Sequence, residues 1–118
     1  MIIRVHAIIF ANDAGRVREF FRDVLELESV DAGGGWLIFA MPPTELAAHP
    51  TDGTPHHQLY LMCDDIRATV ADLTVKGVEF TREITEENFG LMTALVVPGG
   101  GELAIYEPKH PSPLAPSA

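Results

Sequence analysis

Cysteine is nearly absent from this chain, and a single Cys63 excludes an internal disulfide framework. Cations are scarce as well: 8 Lys and Arg face 17 Asp and Glu, for a net charge of −9. A chain this poor in basic residues lacks the surface that a phosphate backbone needs, which argues against a nucleic-acid partner. No apolar run approaches the ~18 residues that cross a bilayer, so no membrane partner is expected. Met1-Ile-Ile-Arg4 has neither the basic stretch nor the apolar core of a secretory leader, and a cytoplasmic location is the default expectation. Gly33-Gly-Gly35 and Gly99-Gly-Gly101 precede apolar β-like runs, whereas a phosphate cradle opens a helix, so they read as hairpin turns. Neither a Ser-His-Asp nor a Cys-His set can be assembled.

What is present is a repeat. His6 to Leu25 lies over Gln58 to Gly77 without a gap, each copy being a short apolar run, an Asn-Asp or Asp-Asp pair, then a helical stretch. Pro43-Thr-Glu-Leu-Ala47 similarly matches Gly100-Gly-Glu-Leu-Ala104, the second copy carrying a longer loop at Glu83 to Gly90. The 118 residues suffice for one core, and half-size modules are too small to stand alone. The expectation is one α+β domain over 1–108, with module one at 1–50, module two at 56–108 and a Pro-rich tail at 109–118.

Within module one, Ile2 to Ala11 reads as a strand, Asn12 or Asp13 as an N-cap, and Val17, Phe20, Phe21, Val24 and Leu25 recur at the spacing of an amphipathic helix. Strands are expected near Glu28 to Asp31, Trp36 to Met41 and Glu45 to His49. Module two repeats this: strand Gln58 to Cys63, a cap at Asp64 or Asp65, a helix with Ile66, Val70 and Leu73 inward and Gly77 as its stop. Strands near Val78 to Arg82, Leu91 to Val97 and Glu102 to Tyr106 follow. Trp36, among Leu37 to Phe39, reads as core. The tail reads as mobile or as an arm across a partner.

The paired βαβββ order, Cys63-Asp-Asp65 before a helix, Lys76-Gly-Val78 closing it, and Pro98-Gly-Gly-Gly-Glu-Leu-Ala-Ile-Tyr-Glu-Pro108 together resemble the vicinal oxygen chelate superfamily, which holds glyoxalases, bleomycin-resistance proteins and extradiol dioxygenases. The resemblance implies two βαβββ modules related by a pseudo-twofold, a curved mixed sheet around a concave cleft, helices outside, and a homodimer. It also implies up to four metal ligands: a His or Gln early in each first strand and a carboxylate in each last strand. Those positions carry His6, Gln58, Ala47 and Ala104, and alanine cannot bind a metal.

Strand alternation supplies an independent reading of the cleft. Leu103 and Ile105 share one face of the last strand, opposite Glu102, Ala104 and Tyr106; Leu59, Leu61 and Cys63 likewise oppose Gln58, Tyr60 and Met62. The candidate ligand-binding residues are therefore His6, Phe10, Glu45, His49, Gln58, Tyr60, Glu102 and Tyr106, a mixed apolar and polar lining. No cofactor is expected, a divalent metal being the alternative. The acidity reads first as a solubilising surface and second as attraction for a cationic ligand. Two functions stay open: a binder of a small molecule without catalytic metal, and a lyase, isomerase or dioxygenase using His6 and Gln58 with Glu102 or Glu45. A metal-free isomerase drawing on His6, His49, Glu45 or Tyr106 belongs to the second.

Overall fold

A computed structural model describes residues 6–114, so the first part of the expected N-terminal strand and the last four residues of the tail lie outside the described residues. Both helices start where the sequence places a cap. Asp13 Oδ1 accepts from the Arg16 amide at the head of α1 (Ala14–Glu19), and Asp65 Oδ1 accepts from the Ala68 amide at the head of α2 (Ile66–Val75). α1 widens into a π-helical turn over Phe20–Val24, which leaves Val17, Phe20 and Phe21 buried. The turn ends at Glu26, held at φ 57°, with the Leu27 amide returning to Phe21 O at 3.0 Å.

Module two forms a four-stranded sheet in the order β3 (Tyr60–Met62), β6 (Gly101–Pro108), β5 (Gly90–Val97), β4 (Thr85–Glu87). β3 runs parallel to β6, and β6, β5 and β4 are antiparallel. The expected strand at Val78 to Arg82 does run beside β5, by a bridge from Phe80 to Leu95 and a bond from the Thr81 amide to Ala94 O, but it forms no continuous ladder. The ladder resumes one turn later as β4, inside the segment read as a loop.

Among the described residues of module one only β1 (Ser29–Asp31) and β2 (Leu37–Phe39) pair, antiparallel through the turn at Gly33–Gly35. Residues 6–12 and 40–59 carry no regular strand. The physical reason lies in the flanking chain. The expected last strand, Glu45 to His49, sits between Pro42-Pro43 and Pro50, which donate no N–H, and Ala47 and Ala48 offer little area to pack. Trp36, read as core, is instead 69% exposed, with the Arg18 guanidinium 5.3 Å above its ring.

The core joins the modules. Val17, Phe20 and Phe21 from the first helix meet Ile66, Leu73, Val78, Leu95, Val97, Leu103 and Ile105 from the second module. Gly100 makes this contact feasible, because a Cβ there would stand 2.8 Å from Val17 Cγ2. Among the described residues no helix is long and apolar enough to cross a membrane.

Candidate functional site

The strand parity read from the sequence holds where the sheet is continuous. Leu103 and Ile105 are buried, and Leu59, Leu61 and Cys63 pack on the core, leaving Gln58, Tyr60, Glu102, Ala104 and Tyr106 on the opposite, concave face. An open cavity of about 450 Å³ lies at the end of the sheet and takes in residues of both faces: Ile8, Ile9, Gln58, Leu59, Tyr60, Arg82, Val97, Gly100, Glu102, Leu103 and Ala104. Its polar groups are prearranged: the Tyr60 hydroxyl donates to Gln58 Oε1 at 2.9 Å, and Arg82 Nη2 donates to Glu102 Oε1 at 2.7 Å.

Beside the cavity, Tyr106 gathers an aromatic cluster. Its ring meets Tyr60 edge-on at 6.0 Å and Phe89 at 5.3 Å, and its hydroxyl lies 2.9 Å from His110 Nε2. Burial pushes the Tyr106 phenol above its ordinary range, and the charge of Glu45 adds to that, so the phenol stays protonated at neutral pH. Glu45 also accepts a short hydrogen bond from Ser112 Oγ. Residues 109–114 thus lie on their own chain, bonded at Phe89 O, Tyr106 and Glu45.

Of the eight candidate residues, Gln58, Tyr60 and Glu102 line the cavity, and Tyr106 and Glu45 meet through the tail beside it. His6, Phe10 and His49 do not line it; all three are exposed, Phe10 to 90%. Arg82, Phe89 and His110 are site residues that the sequence reading does not contain. Alternation gives no signal for Arg82, which has the parity of the core-packed Val78 and Phe80; its reach to Glu102 depends on the strand ending before it. The tail contacts had none, because they depend on tertiary placement of a proline-rich segment.

The donor set does not fit a catalytic metal. Ala47 and Ala104 stand where the family resemblance implies carboxylates. Among the described residues no three His, Cys, Asp or Glu side chains converge on a point that could hold an ion. Cys63 packs on the core and donates to Tyr106 O at 3.6 Å, and burial raises its thiol, which is the opposite of an activated nucleophile.

The sequence matches the profile described as Glyoxalase/Bleomycin resistance protein/Dioxygenase superfamily over residues 3–110. No curated protein matches it. Among solved structures it is similar to TnmS3, an antibiotic binding protein from Streptomyces sp. CB03234, at TM-score 0.66 and 19% identity, over 92% of this chain and 99% of that one. A lactoylglutathione lyase from Agrobacterium tumefaciens matches at TM-score 0.65 and 16% identity over 89% and 92%. A superfamily member from Sphaerobacter thermophilus DSM 20745 matches at 0.61 and 22% over 90% and 98%. At these identities the likeness carries the fold.

Proposed function

Because the chain belongs to the Glyoxalase/Bleomycin resistance protein/Dioxygenase superfamily, and that fold alone does not specify chemistry, we propose from its own side chains that it binds a small organic molecule in the concave cleft without a catalytic metal. The observation that carries this reading is the cavity itself: apolar Ile8, Leu59 and Ala104 beside hydrogen-bonding Gln58 and Tyr60, with alanine where a metal carboxylate would stand. The antibiotic-binding relative makes sequestration of a small molecule a consistent role. The rival reading, a lyase, isomerase or dioxygenase, would draw on His6, Gln58 and Glu102 or Glu45, and among the described residues no metal-competent group of such side chains converges. Tyr106 is a weak candidate base for a metal-free isomerase, since its phenol holds its proton.

Native mass spectrometry of the protein exposed to a small-molecule cell extract tests the choice. A stoichiometric non-covalent adduct, weakened in Tyr60→Ala, is the expected result. Metal-stimulated conversion of an extract component would contradict it.

The same reading includes a homodimer. It is supported by the apolar surface of module one, where Ile8, Phe10, Val30, Trp36 and Leu46 are 63 to 99% exposed and, among the described residues, both edges of the β1–β2 ribbon are unpaired. A second copy supplies both apolar surface and strand edges.

A further inference from the structure

We propose that Arg82 is an anchor for a carboxylate on the ligand, and that Glu102 occupies that anchor until the ligand arrives. The inference rests on the reading of the cleft as a small-molecule site and assigns the ligand's chemical class: a monocarboxylate with an apolar body.

Arg82 is the one cation lining the cavity among the described residues. Its backbone is fixed to β5 at two points. The Thr81 amide donates to Ala94 O at 2.9 Å, and Thr93 Oγ1 donates to Arg82 O at 2.8 Å. Thr93 is the fully buried polar residue of the described core, at 1% exposure, so its hydroxyl holds this segment against β5 in a place water does not reach. From that fixed base the guanidinium crosses to Glu102 on β6 and makes a single hydrogen bond, Nη2 to Oε1. A guanidinium presents five N–H donors in a planar fork suited to two parallel bonds with a carboxylate. Most of that fork is therefore unused among the described residues.

The pair is easily opened. Both side chains are 47% exposed, and ion pairs at that exposure add little net stability, so Glu102 can turn to water when a better-aligned carboxylate enters. Beyond the guanidinium the wall is Ile8, Leu59 and Ala104, which suits an apolar body, with Gln58 and Tyr60 at its side. The neighbouring Glu102 and the net charge of −9 disfavour a multiply charged anion such as a phosphate ester. A planar monoanion meets both conditions.

Phenylacetate, its neutral isostere phenylacetamide and the cation phenethylamine, titrated into the full-length protein and followed by amide resonances of Ile8, Leu59 and Ala104, separate the outcomes. Phenylacetate should bind at least tenfold more tightly than either analogue. Arg82→Gln should reduce its affinity to that of the amide, and Glu102→Gln should tighten it several-fold by removing the competitor, a gain that misfolding cannot produce. Preference for the amine, equal binding of acid and amide, indifference to Arg82→Gln, or weakening in Glu102→Gln would each overturn the anchor while leaving the cleft as a binding site. If none of the three probes shifts a cleft resonance, the small-molecule reading of the cleft fails along with it.

Discussion

The Tyr106 hydroxyl lies 2.9 Å from His110 Nε2, and through that contact the proline-rich C-terminal segment is fastened to β6 instead of trailing from it. Lys109 continues the attachment by donating its amide to Phe89 O at 2.8 Å. Tyr106→Phe keeps the ring packing and removes the hydroxyl, which forfeits about 0.5–1.5 kcal/mol of local hydrogen-bond energy. Trypsin cleavage after Lys109 should become several-fold faster while the thermal midpoint barely moves. An unchanged cleavage rate would show that the segment is not held this way.

Glycine is required at position 90 for steric reasons. Gly90 has φ 151°, and a Cβ there would fall 2.0 Å from the Glu107 carbonyl oxygen across the β5–β6 ladder. Gly90→Ala must displace backbone in the central pair of strands and should cost several kcal/mol, in the range of disruptive core changes. Gly53→Ala, where the nearest non-local atom is Thr51 Oγ1 at 3.7 Å, serves as the control and should lie within about 0.5 kcal/mol of wild type in urea unfolding.

Burial lifts the Cys63 thiol above its ordinary value, outweighing the Thr69 contact that favours the thiolate; Glu107, Asp64 and Asp65 push the same way. The folded protein keeps a proton that the unfolded chain releases above about pH 8.5. Stability from this group is therefore complete below that pH and declines as pH rises through the folded value. Thermal midpoints should fall between about pH 8 and 10, less steeply in Cys63→Ala, and the thiol should react with iodoacetamide more slowly than free cysteine. A faster reaction would contradict the burial of Cys63.

The exposed apolar surface of module one predicts the state of the protein in solution. Sedimentation at micromolar concentration should give a dimer, and Phe10→Lys together with Leu46→Lys should weaken it, because both side chains are 90% or more exposed within one chain. A wild-type monomer would remove the dimer from the account.

Much of this fold was legible because its signals are local. Asp13 and Asp65 cap their helices as their positions suggest, Gly77 follows α2 at φ 89°, and the alternation of Leu103 and Ile105 against Glu102 and Tyr106 sets the two faces of β6. Where the signal is tertiary, the sequence misleads. The π-turn after Glu19 arises from packing Phe20 and Phe21 together into the core, and no spacing announces it. The strand expected at Glu45 to His49 has the right alternation but too little apolar area and too many flanking prolines to pair within one chain. Glu102 was readable as a cleft carboxylate, yet its neutralisation by Arg82, twenty residues earlier, depends on how the edge segment crosses β5. Phe10, assigned to the cleft by parity, lacks the neighbouring strand that would make parity meaningful.

The central claim is that the cleft works without a metal, and calorimetric titration of Zn, Ni, Mn, Fe and Co into metal-stripped protein tests it most directly, with His6→Gln alongside. The account predicts no saturable binding at one ion per chain and no difference between the two proteins, since Ala47 and Ala104 supply no donor. Stoichiometric, tight binding to the wild type that is lost in His6→Gln would contradict it.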